Sequence, residues 1–333
     1  MCPDIYLHRM SVTAIHHQIN PNLLRPCTNV SLVHHAFILN YRKGFIMKRL
    51  TLHKLIFSIL LFTISFLALF ISHKSSTFAD WYSSTIYPLF VSSIGRFFGI
   101  FPFSVSEIGL YIFVILLFLS LIRMLVSSIY KMYAKKKNPA WLGYGSSLLL
   151  LCGCLFTIYT FFCGINYGHT SFAEKYHLES GQYTQAELTS LCNELTDQLN
   201  ALSDSLDRDS DGLADMGKDL QDRARAAMFS LGATYPELSG YYPQPKGLLF
   251  PAFLSVQNLS GIYSPFTIEA NYNSAMVSYN LPFTICHELS HLRGFMQEEE
   301  ANFIGFLACV NADDTAFNYS GYLLGWIYAT NEL

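Results

Sequence analysis

The sequence carries little charge. Asp, Glu, Lys and Arg make up 14% of its 333 residues and hydrophobic residues make up 51%, whereas soluble domains usually carry about 25% charged residues. This composition excludes a disordered chain and argues against a fully soluble protein. At roughly 150 residues per domain, the length suggests about two units. We therefore expect one membrane part and one water-facing domain.

An excess of basic charge is also missing. The formal net charge is −3 and the isoelectric point is near 6.4, so the sequence gives no support to a nucleic-acid partner, which would require a basic face. A disulfide framework is missing as well. Of the eight cysteines, only Cys192, Cys286 and Cys309 follow the last apolar run, and three is an odd number.

Three long apolar runs supply the membrane part, at about residues 55–72, 106–130 and 140–165. A membrane span needs about 20 mostly apolar residues. Arg123 interrupts the second run, which still qualifies if this side chain extends toward the membrane interface. The alternative for the second run is a buried core helix, which its position between two other spans disfavours. The lipid bilayer is thus an expected partner.

Basic residues predict the orientation of these spans. The connection between the first and second spans, residues 73–104, contains only two lysine or arginine residues, Lys74 and Arg96. The basic residues that precede the first span, or separate the second from the third, are Arg42, Lys43, Lys48, Arg49, Lys54, Lys131, Lys135, Lys136 and Lys137. Because positive loops stay in the cytoplasm, three spans place everything after Ile165 on the extracytoplasmic side.

The first 46 residues show no sustained periodicity. Met47-Lys48-Arg49 followed by an apolar run is typical of the start of a membrane protein. We therefore interpret residues 1–46 as a doubtful extension, with translation beginning at Met47 and the membrane region covering residues 47–165. A cytoplasmic tail is the alternative.

Residues 166–333 are long enough for a water-facing domain with its own core. Apolar residues spaced three or four apart predict an amphipathic helix over residues 184–206, and a shorter helix is expected over 216–231. Short apolar runs broken by Pro, Gly and Asn predict strands within residues 246–277. Helical character returns at Leu281. The fold class is therefore a membrane-anchored α+β protein, in which three N-terminal transmembrane helices precede a mostly helical domain with a small β-sheet.

One motif carries chemistry: His287-Glu288-Leu289-Ser290-His291 has the pattern HExxH. On a helix, residues four apart share a face, so both imidazoles can reach one metal ion, for which Zn²⁺ is the expected choice. Glu288 is then the candidate general base. Gly294 follows closely and is a candidate for ending the helix. The alternative is a pair of core histidines with Glu288 on the surface.

A hydrolytic zinc site needs a third protein ligand and one open position. The acidic run at residues 298–300 follows the motif. Glu298 is the preferred ligand and Asn302, on the same helix face, is expected to support a ligand histidine. Glu300 is the alternative ligand, although it lies about 200° away from Glu298 around a helix, and Glu299 is the least favoured. A solvated acidic helix start would explain the same run.

Several segments of the sequence resemble the bacterial membrane family called domain of unknown function 3810. They are residues 265–271 (PFTIEAN), 282–291 (PFTICHELSH), 298–303 and 319–323, together with residues 101–104 and the three spans. The resemblance covers roughly Met47 to the end. It implies a zincin-like metallopeptidase in a bacterial plasma membrane, with Glu298 as a gluzincin-type third ligand, and it implies no known substrate.

The sequence departs from that family in two places. Residues 1–46 have no recognised counterpart. Similar proteins usually continue beyond the position of Tyr322, so the resemblance raises the expectation that a C-terminal part is missing.

Other polar residues are weaker candidates for the site. Tyr319 and Tyr322 are candidate hydrogen-bond donors to a tetrahedral intermediate, and aromatic core packing is their alternative. Glu269, Asn271 and Asn273 are candidates for lining a substrate cleft on a strand edge, where a peptide could add by β-pairing. Turn formation is the alternative for these three.

Asp207, Asp209 and Asp211 resemble the beginning of a calcium-binding loop. The twelfth position of such a loop should be Glu, and here it is Lys218. An acidic, solvated connection between two helices explains the pattern equally well.

The sequence therefore favours a membrane-anchored zinc peptidase that cleaves a peptide or protein substrate on the extracytoplasmic side. A non-catalytic zinc protein that senses a ligand or binds a partner is the alternative from another class. Intramembrane proteolysis is a third interpretation, and the charged residues around the motif argue against it.

Overall fold

The computed structural model describes residues 25–134, 140–178 and 181–333, and within these it describes the side chains from Lys48 onward, Ala140 excepted. Most of the doubtful extension and the basic residues Lys135, Lys136 and Lys137 therefore lie outside the described residues and side chains.

Helices dominate the described chain. In chain order they are α1 (Arg25–Lys74), α2 (Ser76–Trp81), α3 (Tyr87–Phe90), α4 (Arg96–Phe98), α5 (Val105–Tyr133), α6 (Ala140–Phe162), α7 (Phe172–Lys175), α8 (Gln185–Ser203), α9 (Leu220–Thr234), α10 (Ala252–Ser255), α11 (Leu281–His291), α12 (Glu298–Val310) and α13 (Thr315–Asn331).

Three of these helices contain segments long and apolar enough to cross a membrane, at Lys48–Lys74, Val105–Tyr133 and Trp141–Phe162. This confirms the three apolar helices that the sequence predicts. The first and third run side by side in the same direction, since Lys54 hydrogen-bonds Ser147 and Ser65 hydrogen-bonds Thr157. The ends of α1 and α6 and the beginning of α5 consequently meet the rest of the protein on one side.

The connection between the first two spans is helical rather than an open loop. Helices α2, α3 and α4 follow one another through two wider, π-helical turns at Tyr82–Ile86 and Val91–Gly95. Tyr87 and Val91 are fully buried in the main hydrophobic core, together with residues from α6, α9, α11, α12 and α13. The sequence analysis treated this segment only as a connection, because it contains no apolar run long enough to span a membrane.

A small sheet forms the other part of the domain. Its strands are β1 (Lys246–Gly247), β2 (Gly261–Ser264) and β3 (Glu269–Tyr272), in the order β1-β3-β2. Strand β3 pairs in parallel with β1 and antiparallel with β2. The predicted small sheet and the mostly helical domain are thus confirmed.

Local sequence explains several of the helix ends. Thr184 and Glu187 form a capping box that begins α8, and Asp314 accepts two backbone hydrogen bonds at the start of α13. Helix α11 packs against α9, α12, α13 and β3. The helix carrying the HExxH motif is therefore held from several sides.

Candidate metal centre

Helix α11 carries the HExxH motif, as predicted. Pro282 lies in its first turn, where a missing backbone N–H costs little. The helix ends at His291, and Gly294, at φ +95°, turns the chain back toward α12. The rings of His287 and His291 lie on one face with centroids 4.9 Å apart.

Glu298 completes a three-ligand cluster. Its carboxylate oxygens lie 3.3 Å from Nε2 of His287 and 3.8 Å from Nε2 of His291. Ligand atoms about 2.0–2.1 Å from a tetrahedral zinc lie about 3.4 Å from one another. The ligand atoms of His287, His291 and Glu298 all lie within 4.8 Å of one another, and among the described residues this is the group of His, Cys, Asp or Glu side chains found so close together. Two imidazole nitrogens and one carboxylate fit the ligand set of a catalytic zinc site.

Neighbouring groups orient the ligands. Nδ1 of His291 lies 2.7 Å from the carbonyl oxygen of Phe295, and because a carbonyl only accepts, this nitrogen carries the proton and Nε2 is left free for a metal. Asn302 faces the same cavity as His287, and its amide contributes to the raised pKa of that histidine. Nδ1 of His287 makes no hydrogen bond, so the supporting role expected of Asn302 stays a prediction.

Charges and burial compete in this cluster. Burial lowers the pKa of His287, but the hydrogen bond to Glu298 and the charge of Glu288 outweigh it and raise that pKa above its ordinary value. Burial and the neighbouring His287 lower the pKa of His291 to about 4. The hydrogen bond to His287 lowers the pKa of Glu298. The carboxylate of Glu298 is thereby kept ionised, which is the state in which it could bind a metal ion.

Glu288 is buried in the wall of a cavity beside the cluster. Its side chain is 4% exposed and Oε2 makes no hydrogen bond. Burial raises its pKa to about 8, an effect that the charge of His287 opposes and that of Glu298 increases. The cavity has a volume of about 560 Å³ and is lined by His287, Glu288, His291 and Glu298 among others. A carboxyl group with an unpaired oxygen and a raised pKa, beside the three candidate ligands, is suited to proton transfer.

The backbone of strand β2 lies directly against the side chain of Glu288. A Cβ atom on Gly261 would lie 2.3 Å from Oε1 of Glu288. Gly261 and Ile262 line the cavity, and β2 is an outer strand of the sheet. Sequence reasoning missed this contact, although a glycine inside a strand often marks a close approach of this kind.

Other cavity residues were also missed. Tyr328 and Leu324 of α13 line it, as do Asn280 before α11 and Tyr167 after α6. Tyr263 packs against His291, with ring centroids 6.2 Å apart, and its hydroxyl donates to the carbonyl of Phe162 at 2.9 Å. These residues lie far apart in the sequence and carry no motif, so only the fold brings them together.

The structure does not bring Tyr319 and Tyr322 to the cavity. Tyr319 packs beside the small cluster of Ala214, Met216 and Ala316, and Tyr322 packs edge-on against Phe306. Residues four apart share a helix face, so α13 turns Leu324 and Tyr328 inward and these two tyrosines elsewhere. The core-packing alternative agrees with both positions, and neither tyrosine lines the cavity as the role of transition-state donor would require.

Glu300, the alternative ligand, lies outside the cluster of His287, His291 and Glu298. Its side chain is buried on another face of α12, where Oε1 accepts the N–H of Phe172 at 2.5 Å and Oε2 lies 3.8 Å from His169. Glu299 is exposed. The rotation of 100° per residue separates Glu300 from Glu298, as the sequence argument expected.

Glu269, Asn271 and Asn273 do not line the cavity. Glu269 and Asn271 lie on β3, the central strand, and Asn273 directly follows it; all three are buried. Glu269 forms an ion pair with Lys246 and accepts the N–H groups of Val105 and Ser106, at 3.1 and 2.7 Å. It therefore caps the beginning of α5 and does not line the cavity. The strand edge beside the cavity belongs to β2.

The aspartates resembling a calcium loop form a turn. Oδ1 of Asp209 accepts the N–H groups of Asp211 and Leu213, at 3.0 and 2.9 Å. The carbonyl of Asp207 accepts from Asp215 at 2.8 Å. Within the described part of the chain, Asp207, Asp209 and Asp211 do not form a cluster of metal-ligand atoms. The geometry supports the solvated connection.

If the site is the zinc peptidase that the sequence predicts, Gly261→Ala should lower hydrolysis while zinc stays bound. The added methyl group would overlap Glu288 and turn its carboxylate away, yet it touches none of the three ligands. The measurement is turnover of a fluorescence-quenched peptide library, together with zinc content. Gly181→Ala is the matched control, since its methyl group would meet nothing within 4 Å. Equal turnover in the two variants would contradict the expectation.

Comparison with known proteins places the chain in a family. A family model described as a protein of unknown function (DUF3810) matches residues 82–333, which is 252 of 333 residues. No curated protein and no solved structure matches the chain. The match begins in the helical connection and includes the second and third spans, the sheet and all three candidate ligands. The chain belongs to the DUF3810 family of proteins of unknown function.

Proposed function

We propose that this protein is a membrane-anchored zinc metallopeptidase that hydrolyses peptide bonds on the extracytoplasmic side. One observation carries the proposal: His287, His291 and Glu298 converge within 4.8 Å in a cavity whose wall also holds Glu288. The spacing of HExxH supplies two ligands and a carboxylate, and α12 supplies the third. The zincin-like and gluzincin-type assignment belongs to this proposal.

The residues of this chain perform the following chemistry. His287, His291 and Glu298 would hold a zinc ion, which would supply Lewis-acid activation of the attacking water and of the scissile carbonyl. Glu288 takes the proton from the attacking water on its free carboxylate oxygen and then donates it to the leaving amine. The outer edge of β2 carries no further strand among the described residues, so an extended peptide can pair there beside Glu288.

The cavity favours this function over the non-catalytic alternative. A zinc site that only supports the fold or senses a ligand needs no general base. Here Glu288 is buried beside the ligands, and its unpaired oxygen adjoins a space of about 560 Å³. That space is large enough for a stretch of peptide.

The position of the motif disfavours intramembrane proteolysis. Helix α11 has 11 residues and is not one of the three candidate spans found among the described residues. It packs against α9, α12, α13 and β3 of the domain.

The orientation rests on the basic residues at the span ends. Lys48, Arg49 and Lys54 lie where the first span begins, and Lys131 lies where the second ends. Because the first and third spans are parallel, these residues lie at the ends remote from the domain. The positive-inside rule then supports an extracytoplasmic domain on a bacterial plasma membrane.

Metal analysis tests the proposal. We expect about one zinc per chain in the detergent-purified protein, since three converging side-chain ligands are typical of a catalytic site. Glu298→Ala should lower the zinc content at least tenfold at micromolar free zinc. Glu299→Ala, an exposed neighbour on the same helical turn, should leave it unchanged.

A folded wild type without zinc would overturn the proposal. So would a zinc content that Glu298→Ala and Glu299→Ala reduce equally, because Glu298 would then not be a ligand. Far-ultraviolet circular dichroism on the same samples establishes that the variants are folded.

A further inference from the structure

One stretch of the domain has no charge and keeps much of its apolar surface outside. Residues 247–268 contain no Asp, Glu, Lys, Arg or His. Helix α10 buries Leu254 but leaves its neighbours exposed. We call the exposed side chains of this stretch the apolar ledge: Leu249, Phe250, Phe253, Val256 and Leu259, of which Val256 is 84% exposed. A contiguous patch of this kind marks an interaction surface.

The apolar ledge contacts the beginning of the second span, helix α5. Backbone N–H groups of Leu249 and Phe250 donate to the carboxylate of Glu107, each at 2.8 Å. The ring of Phe250 packs edge-on against Tyr111, with centroids 5.8 Å apart. Glu107 and Tyr111 lie in the first two turns of α5, within about 10 Å of its start at 1.5 Å per residue. The ledge thus lies alongside the span and not on the far side of the domain.

Exposed apolar side chains continue the ledge toward the entry of the span. Phe97 and Ile100, 57% and 74% exposed, precede α5 by only a few residues. Lys246, just before the ledge, donates to the carbonyl of Phe98 at 2.7 Å, so the two surfaces adjoin. Aromatic residues at the end of a span are typical of the membrane interface.

We propose that the apolar ledge inserts into the bilayer leaflet on the side of the domain, with lipid acyl chains as its occupant. Lipid fits better than a protein partner because the ledge continues the surface of α5, which is itself exposed and apolar. The ledge also offers no charge with which to orient a protein partner. An apolar surface with aromatic side chains and no charge is suited to burial at the boundary of headgroups and acyl chains.

This placement sets where the cavity opens. Leu259 of the ledge and Ile262 of β2 line the cavity, as do Tyr159 and Cys163 at the end of the third span. The cavity therefore lies beside the bilayer surface. The substrate class follows, and this step rests on the proposed function: a polypeptide held at the membrane surface by its own anchor reaches Glu288 more readily than a free peptide.

Fluorescence in liposomes tests the ledge without reference to zinc or hydrolysis. Val256→Cys carries an environment-sensitive nitrobenzoxadiazole label in phosphatidylcholine liposomes, with and without lipid bearing a nitroxide at acyl carbon 5. The matched control is Leu213→Cys, an equally apolar, 53% exposed position in the loop before α9. Labelled wild type supplies the background from native cysteines.

We expect a blue-shifted label at position 256 that the nitroxide lipid quenches several-fold more strongly than the label at 213. Equal quenching at the two positions would overturn the proposal. A blue shift at 256 without nitroxide quenching would also overturn it, because protein and not lipid would then cover the ledge.

A second measurement tests the substrate class. Liposomes containing the protein receive a fluorescence-quenched peptide library with or without an N-terminal palmitoyl chain. We expect the acylated peptides to be cleaved roughly tenfold faster or more, and no cleavage by Glu288→Gln. Faster cleavage of the free peptides would overturn the membrane-held substrate. Cleavage of neither would count against the proposed function, while the quenching result would still decide the ledge.

Discussion

Glu288→Gln should abolish hydrolysis and leave the metal in place. Glutamine keeps the size of the side chain but cannot accept the proton of the attacking water. Removing a general base typically costs 10²–10⁴-fold in rate, so turnover of a quenched peptide library should fall by about that factor. Because His287, His291 and Glu298 are untouched, zinc content should remain about one per chain. The two measurements on one sample separate catalysis from metal binding.

The control for this variant is Glu299→Gln, an exposed carboxylate on the first turn of α12. It removes the same charge from the same region and should retain full activity. Equal rates for Glu288→Gln and the wild type would contradict the role of Glu288. A parallel loss of zinc and activity would instead show that this carboxylate holds the metal.

Glu269→Ala should destabilise the fold more than any other charge removal in the domain. Glu269 and Lys246 are 2% and 4% exposed, and the carboxylate also accepts the hydroxyl of Thr267 at 2.8 Å and two backbone N–H groups at the start of α5. Removing one partner of a buried pair typically costs about 3–5 kcal/mol, since the other charge stays buried alone. Chemical unfolding in detergent micelles, followed by tryptophan fluorescence, measures the loss.

A double-mutant cycle shows whether that loss arises from the pair. The double variant Glu269→Gln, Lys246→Met should lose less free energy of unfolding than the sum of the two single variants. Each single variant leaves one buried charge without its partner, whereas the double variant has no charge at either position. Asp222→Asn is the exposed control. Its partner Arg225 lies at 3.0 Å on the surface, and such pairs contribute at most about 1 kcal/mol. Additive losses at positions 246 and 269 would contradict the coupling.

The parts of the site that follow from helix periodicity were predictable from the sequence. A separation of four residues placed His287 and His291 on one face, and the rotation of 100° per residue separated Glu298 from Glu300. Both arguments need only the geometry of one helix. The three spans were predictable for a similar reason, since length and lack of charge determine them within a single segment.

The parts that depend on pairing between distant segments were not predictable. Glu269 meets Val105 across 164 residues, and Gly261 meets Glu288 through the placement of β2 over α11. Nothing in either segment identifies its partner. The positions of Tyr319 and Tyr322 were not predictable either. The face of α13 that points to the cavity is determined by how α13 packs against α8, α11 and α12. A single sequence without covariation contains no signal for such contacts.

The burial of Tyr87 and Val91 has a consequence for how the protein is made. These residues leave the ribosome before the second and third spans, yet Tyr87 bonds the hydroxyl of Tyr263 at 2.9 Å, 176 residues later in the chain. Contacts of such high sequence separation form late in folding. On the proposed topology, the segment at Ser76–Phe98 is therefore translocated before its packing partners, and Tyr87 and Val91 stay uncovered until the rest of the chain has followed. On that topology, insertion of the third span during biosynthesis would be a precondition for folding of the domain that follows it, and chaperones at the membrane surface would have a defined segment to protect.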